Sequence, residues 1–232
     1  MFGKSRFKVS LILGIGSLAF VAWGCGSREQ DVLPLPESNQ ISSVPSVAPA
    51  APTSQLLEDQ QRITATASAL RELCRELSLP DEIRAVAMIF ILPDCPIANS
   101  YGAEYSRLNT EYSPRGIPVV VVYVDPDLTA AKMDEHARQY LLKCPVLLDS
   151  VLSWGNRAGA TKTPEAAVFG LDGSLLYRGR IDDRYVKVGK SRTVTTSHDL
   201  RNAFEAILAG KPVANRFTEA VGCHIPGLAH EG

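Results

Sequence analysis

A layered α/β fold, with helices flanking a central mixed sheet, is what this 232-residue sequence predicts. Three observations carry that prediction. Apolar runs and helix-period segments alternate from Ala85 to Arg157 as β-α-β-α-β-α, the pattern of a parallel sheet with right-handed crossovers. The stretch from Ile117 to Val124 is an almost unbroken β-branched run, the signature of a strand buried on both faces. Finally, two apolar segments flank Asp172-Gly173, a strong antiparallel hairpin signal that makes the sheet mixed.

Ahead of this domain the chain opens with an export-type segment. Lys4, Arg6 and Lys8 precede an uncharged apolar stretch from Val9 to Val21, short for a membrane span and of the length of a signal core. Ala22-Trp23-Gly24-Cys25 follows and resembles a bacterial lipoprotein signal, which implies cleavage before Cys25 and lipid on its sulfur. Residues 1–25 therefore read as signal and anchor, with an ordinary cleaved signal and an uncleaved anchor as the alternatives. All three place the remainder outside the cytoplasm, in the bacterial cell envelope or periplasm. Residues 26–53 are rich in Ser, Pro and Ala, lack periodicity and read as a tether. The rest suffices for one core: an N-terminal helix at 54–80, the α/β domain at 81–212 and a tail at 213–232. A net charge of −1 argues against a nucleic-acid partner or a strongly anionic membrane surface.

Each element has its own local cause. Leu56, Leu57, Ile63, Leu70 and Leu73 form one stripe on a helix from Ser54 to Leu77, stopped by Leu79-Pro80-Asp81. A strand from Ala85 to Leu92 leads into a helix through Asn99, Tyr105, Leu108 and Tyr112. Asp125-Pro126-Asp127 ends the next strand, and Thr129 can cap a helix running to Leu142. His136 lies on that helix among Glu135, Arg138 and Gln139, a solvated or locally bonded position. Cys144 to Asp149 reads as a short strand and Val151 to Arg157 as a short helix. The hairpin is followed by a charged loop, Arg180 to Thr196, and a helix from Asp199 to Leu208. Gly210-Lys211-Pro212 ends that helix.

The chemistry concentrates at Pro93-Asp94-Cys95-Pro96, between a strand and a helix. Pro96 suits the first helical turn, so Cys95 stands at a helix N-terminus, where unpaired N–H groups favour a thiolate. Asp94 beside it pushes the other way when ionised. The alternative for Cys95 is a small buried residue without reactivity.

Cys95-Pro96 after a strand, Pro145 to Asp149, Thr163-Pro164-Glu165 and Asp172-Gly173 together resemble the redoxin family. That is the thioredoxin-like group of alkyl hydroperoxide reductases and thiol-specific antioxidants. The resemblance covers roughly residues 79–209 and implies a thioredoxin-like three-layer fold. It implies that Pro164 is a cis-proline beside Cys95, with Pro96, Thr163 and Pro164 forming the substrate-binding surface. It also implies thiol–disulfide exchange with a protein partner, or reaction with a peroxide, without a cofactor. Two motifs of the group are absent: Ala98 stands where Cys-x-x-Cys has its second cysteine, and Met88 and Leu92 hold the Pro and Thr places of Pro-x-x-x-Thr-x-x-Cys. The loop therefore lacks the hydroxyl that polarises a peroxide.

A thiol cycle needs a second sulfur. With Cys25 lipidated, Cys74, Cys95, Cys144 and Cys223 remain of the five cysteines. Cys74 and Cys144 lie in apolar elements and read as core. Cys223, in Gly-Cys-His-Ile on the tail, is the candidate resolving residue, with His224 and Asp94 as candidate proton-transfer groups. A permanent disulfide, Cys95–Cys223 or Cys74–Cys223, is the structural alternative. A different class is a copper protein resembling the Sco-type chaperones, with Cys95, Cys223, His224 and His136 as ligands. There Ile91 holds the first cysteine place of Cys-x-x-x-Cys-Pro. A third class is a binding module without turnover.

Overall fold

The computed structural model describes residues 54–228. Cys25 and the signal segment lie outside them, and among the described residues no helix is long and apolar enough to cross a membrane. After helix α1 (Ser54–Glu76) come β1 (Ala85–Ile91), α2 (Pro96–Ser100), α3 (Gly102–Tyr112), β2 (Val119–Tyr123), α4 (Ala130–Gln139), β3 (Val146–Leu148) and α5 (Ser153–Ala158). Then follow β4 (Lys162–Thr163), β5 (Glu165–Gly170), β6 (Leu175–Gly179), β7 (Tyr185–Lys187), β8 (Lys190–Ser191), α6 (Asp199–Leu208) and β9 (Cys223–His224).

Five strands form one sheet in the order β3-β2-β1-β5-β6. β1, β2 and β3 are parallel, whereas β5 and β6 run antiparallel to their neighbours. Alternation along β1 sorts its side chains onto two faces. Ala87, Ile89 and Ile91 pack with Tyr105, Leu108 and Phe204 of α3 and α6. Val86, Met88 and Phe90 pack with Leu70, Leu73 and Trp154 of α1 and α5. The result is a thioredoxin-like three-layer fold, with the strands' parallel half feeding Cys95 out at the end of β1.

Four elements differ from the sequence expectation. The expected apolar stripe of α1 is exposed at Leu56, Leu57 and Ile63, and burial begins only at Thr66 and Ala67, because the first half of α1 extends past the sheet face. There the helix backbone meets the β5–β6 turn: a Cβ on Gly173 (φ +87°) would stand 2.1 Å from the Ile63 carbonyl oxygen. The helix expected through Asn99 and Tyr112 is split at Tyr101 into α2 and α3. Helix α4, capped by Thr129 as expected, stops at Gln139, and Leu141 is exposed with φ +51°. The strand expected from Cys144 shrinks to three half-buried residues at the sheet edge.

The tail forms the remaining structure. β9 pairs antiparallel with β4, placing Cys223 opposite Thr163 and His224 opposite Lys162. Ile225 and Leu228 sit in the core beneath α5, and the Ile225 N–H donates to the Thr161 carbonyl at 3.1 Å. The pairing requires a glycine at 222. A Cβ there would lie 1.8 Å from the Thr163 carbonyl oxygen and 2.6 Å from its carbon, both backbone atoms that cannot swing away. Gly222→Ala is therefore expected to force β9 off β4 and cost about 1–3 kcal/mol, the range for overpacking. A urea denaturation curve measures it; an unchanged midpoint with the tail still protected from protease would show that β4 and β9 need no such close approach.

Candidate functional site

Cys95 caps α2. Its backbone is extended (φ −85°, ψ 108°), its Sγ accepts the Ala98 N–H at 3.5 Å, and Pro96 occupies the first turn, where no N–H is needed. The Cys95 thiol donates to the Thr163 carbonyl at 3.0 Å. Thr163 is buried, and its peptide bond to Pro164 is cis. The neighbouring carboxylate of Glu165, also buried, fastens this corner by accepting the N–H groups of Thr161 (2.9 Å) and Lys162 (3.2 Å).

Cys223 arrives from the other side. Its register opposite Thr163 brings it beside Cys95, and each thiol shifts the ionisation of the other. Burial pushes the Cys95 pKa up, but donors outweigh it: the Cys223 thiol, the Ala98 N–H, the Thr163 hydroxyl and the Cys223 backbone all stabilise the thiolate, and the net direction is down. The same contact acts oppositely on Cys223, whose thiol is pushed up to about 12 by burial, by the hydrogen bond it gives Cys95 and by the charge on that sulfur. One sulfur of the pair therefore ionises first. Cys95 is buried and Cys223 partly exposed.

The other cysteines stand apart. Cys144 packs against the core, and burial raises its pKa to about 12. Cys74 lies on α1, also raised by burial. All four described cysteines are free thiols, so neither pairing of the structural alternative is closed.

The candidate proton-transfer residues Asp94 and His224 both lie at the surface. Asp94 is exposed at the turn. His224 is exposed and opposite Lys162; successive strand residues point to opposite faces, so it diverges from Cys223. His136 is buried rather than solvated, and the hydrogen-bond partners of its ring come from distant elements, while Tyr140 at the end of its own helix stacks on it. Its Nε2 donates to Asn99 Oδ1 at 3.0 Å, its Nδ1 accepts from the Tyr123 hydroxyl at 2.9 Å, and Asn99 Nδ2 donates to the Pro93 carbonyl at 2.7 Å. Burial lowers the His136 pKa, with the Pro93 backbone and the Asp94 carboxylate pulling the other way. This chain ties α4 and β2 to the turn that precedes Cys95. Both ring nitrogens of His136 are engaged, and among the described residues no group of three or more His, Cys, Asp or Glu stands together as a metal site.

Two features lay beyond sequence reasoning. Thr163 meets Cys95 through its carbonyl and donates its hydroxyl to the Cys223 carbonyl at 3.5 Å, and Asn99 holds the Pro93 carbonyl. The one local signal was Tyr123, a hydroxyl at the end of a buried apolar strand, which needs a buried partner.

No family model matches the sequence, and no curated protein matches it. Solved structures do. An uncharacterized conserved protein from Geobacillus kaustophilus is similar at 27% identity and a TM-score of 0.54, over 61% of this chain and 76% of that one. A hypothetical protein from Sinorhizobium meliloti 1021 is similar at 27% identity and a TM-score of 0.55, over 64% of this chain and 82% of that one. A putative thiol:disulfide interchange protein DsbE from Chlorobium tepidum is similar at 15% identity and a TM-score of 0.42, over 55% of this chain and 82% of that one.

Proposed function

We propose that this protein is a thiol–disulfide oxidoreductase of the cell envelope, acting on protein disulfides through Cys95 and Cys223. The observation that carries the reading is the contact between two free thiols of opposite character, one lowered and one raised in pKa. Separated pKa values of this kind define a nucleophile and its partner.

In the reducing direction the Cys95 thiolate attacks one sulfur of the substrate disulfide, forming a mixed disulfide and releasing the other sulfur as thiolate. Cys223, losing its proton to solvent, then attacks the Cys95 sulfur. The second substrate thiolate leaves, and the two electrons given to the substrate come from oxidation of the Cys95 and Cys223 thiols to their disulfide. A dithiol reductant restores the pair. Because Cys95 is buried, attack requires the site to open; β9, the strand beside it, is held by two residue pairs, by the Ile225 N–H and by the burial of Ile225 and Leu228 behind it. In the oxidising direction the same steps run backwards: a substrate thiolate attacks the Cys95 sulfur of the closed disulfide and releases Cys223, and the second substrate thiolate then displaces Cys95, the sulfur that best carries negative charge.

The envelope location rests on the basic Lys4-to-Lys8 segment, the apolar run behind it and Cys25. A membrane tether would hold the site close to exported substrates.

Ultraviolet thiolate absorbance, read against pH in a Cys74→Ser/Cys144→Ser background, is expected to show one thiol ionising below the free-cysteine value of about 8.5. Cys95→Ser removes that step. Cys223→Ala shifts it upward by deleting a donor, whereas Cys223→Ser, which keeps a donor, shifts it less. A low-pH step that survives Cys95→Ser would transfer the assignment to another thiol. In insulin reduction, Cys223→Ser is expected to accumulate a mixed disulfide on Cys95 and lose turnover; undiminished turnover sinks Cys223 as the resolving residue. Separately, Cys25→Ser is expected to abolish lipid labelling and release the protein from membranes. Retained attachment with an intact N-terminal peptide would mean an uncleaved anchor instead.

A further inference from the structure

The segment between β6 and α6, expected to be a charged loop, carries a small projecting ribbon. Its base is fastened by Asp183, a buried carboxylate that accepts the N–H groups of Thr196 (2.8 Å) and Ser197 (3.0 Å) and the Thr196 hydroxyl, and that pairs with Arg192 at 3.3 Å. The Arg192 N–H donates to the Arg184 carbonyl at 2.7 Å. Above this base β7 and β8 pair only with each other, leaving the outer backbone edges without a third strand among the described residues.

The ribbon begins beside the sulfurs. The Tyr185 hydroxyl donates to Ser100 Oγ on α2 at 3.0 Å, and its ring centroid is 6.0 Å from that of Tyr101. Tyr185, Tyr101 and Pro164 line one small cavity, so the ribbon leaves the body next to the cis-proline and the helix that Cys95 caps. Asp182 locks this root by accepting the Tyr101 hydroxyl at 2.5 Å, while the Arg184 guanidinium lies 4.2 Å over the Tyr101 ring.

Its surface has one chemical character. Val186, Val188 and Val194 are 46%, 68% and 69% exposed. From Arg184 to His198 there is no Asp or Glu, and the cations are Arg184, Lys187, Lys190 and Arg192. The arginines pair with Asp182 and Asp183 at the root, whereas Lys187 and Lys190 join no ion pair among the described residues.

We propose that the β7–β8 ribbon docks the protein substrate, and that its occupant is an extended, acidic segment flanking the disulfide. An open strand edge offers backbone pairing to an extended chain, the valines bury its apolar side chains, and the two lysines select acidic ones. The inference rests on the thiol–disulfide reading. It adds to it a substrate class that Cys95 and Cys223 themselves do not determine.

The test uses the reduced full-length chain and three disulfides activated with thiopyridine: a Glu-rich extended peptide, a Lys-rich one of equal length, and dithiodipyridine itself. Attack by the Cys95 thiolate joins the peptide to Cys95 and releases thiopyridone, which is read spectroscopically. The acidic peptide is expected to react on the order of tenfold faster than the basic one, with the advantage shrinking as salt rises, as rim charges do. K187E/K190E is expected to reverse the preference while leaving the dithiodipyridine rate unchanged. Equal rates for the two peptides, or a preference that survives K187E/K190E, would overturn the docking role. Binding to anionic vesicles that K187E/K190E abolishes, alongside equal peptide rates, would make the ribbon a lipid-facing element instead. Failure of dithiodipyridine to react at Cys95 is a different result, since it removes the thiol reading itself.

Discussion

The pairing of Lys162–Thr163 with Cys223–His224 is the contact on which the rest of the site depends. Two register pairs bring a sulfur from the end of the chain onto a sulfur at the end of β1. The approach is close because residue 222 is glycine and the Thr163 carbonyl can lie where a side chain would be. Behind the pairing, Ile225 and Leu228 are buried against the α1–α5 face, so hydrophobic burial holds the tail down while its backbone completes the site. Glu165 does the same for β4 from within, by taking the two N–H groups that lead into it.

From this contact follows the difference between the sulfurs. Both lose solvent, which disfavours either thiolate. Only Cys95 also gathers donors: the Ala98 N–H at the start of α2, the Thr163 hydroxyl, and Cys223 itself. Stabilising one thiolate by a neighbouring thiol necessarily keeps that neighbour protonated, which is why the Cys223 pKa rises as the Cys95 pKa falls. Ala98 stands where Cys-x-x-Cys has its second cysteine, and the thiol beside Cys95 comes instead from another strand.

The turn bearing Cys95 is held from behind as well. Asn99 bonds the Pro93 carbonyl and is itself oriented by His136, which Tyr123 orients in turn. Each member uses a different element, so the turn is referenced to β2 and α4 and not only to the helix that follows it. On the other flank, Tyr101, Asp182 and Arg184 join the root of the β7–β8 ribbon to the α2–α3 junction. Cys95 and Cys223 therefore sit between a fixed wall and a projecting strand edge.

Local chemistry determined much of this protein by itself. The β-α alternation, the Val119–Tyr123 strand, the Thr129 cap and the Asp172-Gly173 hairpin were legible because period, capping and turn geometry act within a few residues. Cys95 was legible for the same reason, since a strand, a cysteine and a proline at N1 are consecutive. What only the tertiary structure decided was which distant groups meet. Nothing in the spacing of Thr163 and Cys223 reveals their register, and Asn99, His136 and Tyr123 share no local pattern. His136 looked solvated because its helical neighbours are charged, yet its ring lies buried against a strand packed on that helix. The exposed leucines of α1 err in the opposite direction: a helical stripe says which residues share a face, whereas burial depends on how far the sheet beneath it extends.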